Sequence, residues 1–192
     1  MSARDPKADL QGYLTMIREA VLWKLDGVSE FDARRPMTPT GTNLLGVVKH
    51  LACVHIGYFG WTFDRGRDIE LPWYTDDAEP NADMWATEDE TGEQILALYR
   101  QACDLEDTTI AELDLDAPGH VPWWPAERNP VTLHVILVHV IAETNRHAGQ
   151  LDILRELIDG AAGLKADNTN LPDGTDWPAH HARLAEVAAR FR

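Results

Sequence analysis

The stretch "VTLHVILVHVIAETNRHAGQLDILRELI", residues 131–158, constrains this chain more than any other part of it. Its apolar residues return every three or four positions, the period of an α-helix buried along one face. The helix so predicted is far longer than the ~11 residues average in globular proteins, and Gly160 stands where a left-handed cap would end it. Such a helix needs neighbours of comparable length to cover its stripe, which points to a bundle. The stripe is nevertheless interrupted. His139, Glu143 and His147 follow at intervals of four, and residues four apart differ by only ~40° around the axis. They therefore share a face with Ile136, Val140, Gln150, Leu151 and Leu154.

Three other long helical patterns supply the neighbours. Residues 6–27 place Leu10, Leu14, Ile17, Val21 and Leu25 three or four apart. Residues 44–63 follow a capping Thr42 or Asn43 and are apolar on more than one face, as expected of a helix surrounded by others. A third pattern starts near Thr87, where Thr87 with Glu90 resembles a capping box, and carries Ile95, Leu96, Tyr99, Ala102, Leu105, Ile110 and Leu113. A short helix is expected from Pro178 to near Phe191. No strand alternation intervenes. The predicted fold is all-α: a four-helix bundle over residues 1–160 with long inter-helix loops, and residues 161–192 as an extension packed on the same domain. Two loops are longer than bundle connections usually are, and they hold Trp73, Tyr74, Trp85, Trp123 and Trp124, more aromatic surface than a linker carries.

Charge and cysteine usage exclude several functions. With 32 acidic against 17 basic residues the formal charge is −15, a surface that repels nucleic acid; the doublet Arg34–Arg35 is too short to offset it. No unbroken apolar run reaches membrane-spanning length, and "MSARDPKADLQGY" lacks the basic start and apolar run of a secretion signal. A cytoplasmic protein without membrane or nucleic-acid partners is the expectation. Cys53 and Cys103 make neither a disulfide framework nor a CxxC motif.

The second helix has its own interruption: His50 lies on one face with Val54, Gly57 and Trp61, and Gly57 leaves space for a ligand. A buried carboxylate alone would cost several kcal/mol, and a divalent cation removes that cost. Two imidazoles and a carboxylate from facing helices form a three-point site with open coordination positions, which suits a catalytic zinc better than a structural one; nickel, iron and manganese also accept such a donor set. The alternative is ordinary: a histidine filling the core, and a Glu–His pair four apart stabilising its helix by a few tenths of a kcal/mol. His139 fits as a ligand in place of Glu143, as a support behind the ligands, or as core. His55, His134, His180 and His181 read as solvated or capping residues.

The segments "TPTGTNLLGVVKHLACV" and "ETNRHAGQLDILRE" resemble the DinB-like superfamily of metal-binding four-helix bundles, and most closely its actinobacterial, mycothiol-dependent branch. The likeness extends over roughly residues 10–160. It implies a metal triad at His50, Glu143 and His147, with His139 behind it or in the core. Many relatives carry His at the position of Glu143; the Glu version resembles mycothiol-dependent maleylpyruvate isomerase, whose zinc has two His and one Glu. That isomerase carries a further domain after its bundle, which the residues after Gly160 are too few to form. The resemblance therefore implies a detoxifying transferase that holds the co-substrate mycothiol as a metal-bound thiolate for attack on an electrophilic small molecule. Metal-dependent hydrolysis and a non-catalytic metal- or ligand-binding stress protein are the alternatives, and a homodimer rests on the resemblance alone. Tyr58, Trp61, Trp123, Trp124 and Gln150 are the candidate substrate-binding residues. Asp152 and Arg155 are expected in ion pairs, and "YTDDAEPNADMWATEDE" as a solvated acidic loop.

Overall fold

The computed structural model describes residues 5–75 and 77–192. Helix α1 spans Pro6–Trp23, with Asp5 accepting the Lys7 N–H and Pro6 at the first position, where a missing N–H costs nothing. A single short turn of helix, α2 (Glu30–Arg34), follows under a Ser29 cap. Helix α3 runs Leu44–His55 behind Asn43, whose side chain accepts the Gly46 N–H at 2.8 Å. It continues through a π-turn, Ile56–Gly60, and a 3₁₀ turn, Trp61–Phe63, which breaks the single regular helix expected there.

Helix α4 spans Gly92–Glu112, one turn later than Thr87 suggests. The working box is Thr91 with Gln94. Glu90 does bond the Thr87 N–H, but its carboxylate also pairs with Lys49 on α3 at 2.8 Å, so it fastens a loop rather than starting a helix. Helix α5 is Leu133–Asp159, ending on Gly160 with φ 78. It begins two residues beyond the expected start because β2 (Val131–Thr132) pairs antiparallel with β1 (Pro118–Gly119). Helix α6, Trp177–Ala189, buries none of its residues. The chain before it is tied to α1 by Lys24 Nζ donating to the Gly163 carbonyl and by a Lys165–Glu19 ion pair at 2.6 Å.

Cross-helix contacts fix the directions. Lys7 Nζ reaches the Leu113 carbonyl at 2.7 Å and Arg18 bonds Glu106 at 2.8 Å, so α1 and α4 are antiparallel. His50 lies beside His147 and Tyr58 beside His139, so α3 and α5 are antiparallel. His55 meets Glu106, and Thr109 donates to the Phe59 carbonyl at 3.1 Å, so α3 and α4 are parallel. Parallel neighbours cannot be joined by a short turn. Residues 64–91 must return along the whole of α3 before α4 can start, which is why that loop is long.

The centre of the bundle is apolar, with Leu14, Val21, Leu45, Val48, Leu51, Phe59, Ile110, Ile136, Val140 and Leu151 all buried. The segment Leu44–Phe63 is apolar enough to cross a bilayer, its best 18-residue window having mean hydropathy 1.2, but 89% of that window is buried within the protein, as in a core helix. One polar chain crosses this centre: Arg18 on α1 pairs with Glu106 on α4, Glu106 with His55 on α3, and His55 Nε2 lies 3.3 Å from Thr144 Oγ1 on α5. His55 is fully buried, contrary to the solvated or capping role expected of it. The expected ion pairs at Asp152 and Arg155 form, with Lys24 and Asp159.

Candidate metal site

From Leu44 to Gly60 only His50 and Val54 are less than fully buried, so His50 is where the central helix opens to solvent. Its ring packs against that of His147 with centroids 4.7 Å apart. Glu143 Oε1 lies 2.9 Å from His147 Nε2 and 4.0 Å from His50 Nε2. One ligand-type atom from each of the three residues lies within 4.8 Å of the others. The imidazole of His147 is 6% exposed, against 21% for His50 and 28% for Glu143, so the cluster has one buried wall and an open side.

The outer nitrogens of both rings are occupied. His50 Nδ1 lies 2.6 Å from Asp83 Oδ2, and His147 Nδ1 lies 2.9 Å from Gln150 Oε1. The Asp83 carboxylate is an acceptor only, so His50 carries its proton on Nδ1 and keeps the Nε2 lone pair, whereas His147 has an acceptor on each side, Gln150 at Nδ1 and the Glu143 carboxylate at Nε2. Without an ion, a proton on His147 Nε2 makes the Glu143 contact a hydrogen bond; with Nε2 deprotonated, the two imidazole nitrogens and the carboxylate oxygen are a donor set for a divalent cation. Donors ~2.1 Å from a common tetrahedral ion stand ~3.4 Å apart, a value between the two spacings observed to Glu143. The residues fit a divalent metal ion.

Asp83 comes from the crossover loop, in a 3₁₀ turn spanning Ala82–Met84, and the bond from His50 holds its carboxyl below the usual range. Glu90, in the same acidic run, has its carboxyl lowered by Lys49 and the Thr87 N–H against the opposing effect of burial. The expectation of a solvated acidic loop therefore fails at both residues. It fails because the partners on α3 that they meet, His50 and Lys49, lie far away in sequence. Gln150 meets His147 one turn away on the same helix.

Next to this cluster is an aromatic wall. Tyr58 stacks edge-on against Trp123 at 5.2 Å, Trp124 at 5.9 Å and His139 at 4.7 Å. Trp61 packs on Trp123 and Tyr74. Trp124 Nε1 donates to Tyr58 Oη at 3.2 Å, and Asn129 bonds the backbone of Val121 and Trp124, which fixes the loop that carries both tryptophans. His139 belongs to this wall and makes no hydrogen bond to the triad among the described residues; burial lowers its pKa. The gap expected at Gly57 is filled: a Cβ there would lie 2.8 Å from the Trp123 ring. The missing side chain admits a tryptophan, not a ligand.

Both cysteine thiols are held protonated. Burial pushes Cys53 and Cys103 each up to about 12, and Trp73 Nε1 contacts the Cys53 sulfur at 3.1 Å. Neither is a nucleophile at neutral pH.

A sequence profile of the mycothiol-S-transferase family matches residues 9–160. The chain belongs to this family. Among solved structures, a conserved protein from Enterococcus faecalis is similar with a TM-score of 0.59 at 18% identity, over 82% of this chain and 99% of that one. A DinB-like protein from Bacillus cereus gives 0.52 at 18% identity, over 77% and 89%. At that identity the likeness is one of fold, and the fold is that of the DinB-like bundle. No protein of curated function matches the sequence. The match to the mycothiol-S-transferase family ends at Gly160, the cap of α5, and so covers the bundle with all three clustered residues.

Proposed function

We propose that His50, Glu143 and His147 hold a divalent metal ion, zinc in first place, and that the protein transfers mycothiol onto electrophilic small molecules. The observation that carries this reading is the convergence of three ligand-type atoms where the buried central helix opens to solvent, in a chain of this family. Bound there, the ion would hold an added thiol as thiolate at neutral pH, where a free thiol is mostly protonated.

The chain's own residues supply orientation. Asp83 holds the His50 imidazole as the Nδ1–H tautomer, Gln150 contacts Nδ1 of His147, and Nε2 of each ring is turned towards Glu143. Glu143 contributes the one negative charge inside the triad. Trp61, Trp123 and Trp124, backed by the buried Tyr58, offer an apolar surface beside the C-terminal end of α3 for the carbon skeleton of an electrophile. The thiol sulfur forms the new bond to carbon, the leaving group departs with its bonding electrons, and the thiol proton passes to solvent through the open side. Because Cys53 and Cys103 stay protonated, the nucleophilic sulfur comes from the co-substrate.

The test is the metal content and mycothiol-consuming activity of the purified protein, beside His147→Ala and Glu143→Ala, with an alkyl halide as electrophile. The expected result is about one metal per chain in the wild type, lost in both variants together with at least a hundredfold of activity. Metal retention in both variants would contradict the ligand assignment. Metal binding without any thiol-dependent turnover would favour hydrolysis or a non-catalytic role.

A further inference from the structure

We infer that Asp83 is a positioning residue for His50 and that Gly46 is the socket through which the crossover loop delivers it. This rests on the metal-site reading above and adds two residues from outside the triad. The carboxylate of Asp83 accepts from His50 Nδ1 at 2.6 Å and takes no other side-chain hydrogen bond among the described residues. The nearby cation Lys49 is already engaged by Glu90 and by the Trp85 carbonyl at 3.0 Å. Asp83 is therefore not needed to neutralise Lys49; its polar contact is the imidazole.

Its approach depends on backbone geometry. The 3₁₀ turn that carries Asp83 opens at Asn81, which has φ 61, and closes with Met84 N–H donating to the Asn81 carbonyl at 2.8 Å. That turn lies directly on α3. A Cβ at Gly46 would stand 1.8 Å from the Met84 oxygen and 2.6 Å from its carbonyl carbon, distances that no side chain can occupy. Gly46 and His50 are four residues apart and so share a helix face. The glycine lets the loop backbone rest one turn before the histidine, and the next carboxylate back along the loop then reaches the ring. Any side chain at 46 lifts the turn away and Asp83 with it.

At Nδ1, the side away from Glu143, the two imidazoles are consequently held unequally, His50 by an anion and His147 by the neutral amide of Gln150. An anionic partner raises the donor strength of a ligand imidazole, and removing such a partner typically weakens metal binding 10–100-fold.

Two measurements test this. Zn²⁺ affinity is measured by chelator competition for wild type, Asp83→Ala, Asp83→Asn and Gly46→Ala. Tautomers are read by ¹⁵N–¹H correlation of the histidine rings in the metal-free protein. The expected affinity loss is 10–100-fold for Asp83→Ala and Gly46→Ala, and smaller for Asp83→Asn, whose amide oxygen still accepts from Nδ1. In the metal-free protein His50 is the Nδ1–H tautomer in wild type and loses that bias in Asp83→Ala and Gly46→Ala. Unchanged affinity and tautomer in Asp83→Ala would overturn the inference, as would coordination of the bound Zn²⁺ by Asp83 itself. Failure of the wild type to bind Zn²⁺ would instead sink the metal-site reading, and the tautomer result would still decide whether Asp83 sets the ring.

Discussion

At the scale of single residues, a charge inside a helix bundle survives only if another side chain meets it, and here one chain of contacts does so across all four long helices. Glu106 is fully buried between Arg18 and His55. Breaking such a pair by removing one member costs about 3–5 kcal/mol, because the remaining charge is left without a partner. Glu106→Ala is therefore expected to destabilise the protein by that amount in urea unfolding, and Glu106→Gln by less. A loss under ~1 kcal/mol for the alanine variant would contradict the arrangement. Sequence reading did not see this network, since His55, Glu106 and Arg18 are far apart in the chain and periodicity says nothing about which buried polar groups face each other. The same reading did pick out Glu143 and His147, whose contact is local to one helix and fixed by the spacing of four. His50 stood out as the interruption of the second helix, and the resemblance joined it to that pair; Asp83 was missed because loop residues carry no period to place them.

At the scale of elements, the helices were legible because each carries its own start and stop chemistry, such as Asn43 before α3 and Gly160 after α5. The start of α4 was misplaced by one turn because two Thr-x-x-Glu/Gln boxes lie end to end, and only the second caps. That start has a further support. Glu30 on α2 accepts the Gly92 N–H at 2.8 Å, and this bond, with Arg34, holds its carboxyl below its ordinary value of 4.5 despite opposing desolvation. A carboxyl depressed in the folded state stabilises above its unfolded pKa and loses that contribution as pH falls. Glu30 is half exposed, so the contribution is below ~1 kcal/mol. The stability difference between wild type and Glu30→Gln is expected to be present at neutral pH and to vanish towards about pH 3, in chemical denaturation at several pH values. A difference constant across that range would show that the bond is not what Glu30 contributes.

At the scale of the whole molecule, function follows from helix direction. With α3 and α4 parallel, the crossover has to pass over α3, and in passing it delivers Asp83 to His50, where the central helix is open. The antiparallel α5 then brings Glu143 and His147 to the same point. Neither the crossover path nor the aromatic wall over Gly57 was legible beforehand, because both depend on which helices are parallel. The measurement that tests the account most directly is metal-edge X-ray absorption of the zinc-loaded protein during titration with mycothiol. The account predicts nitrogen and oxygen neighbours at first, then a sulfur neighbour at about 2.3 Å as thiol is added. A zinc ion that keeps only nitrogen and oxygen neighbours at saturating thiol would contradict it.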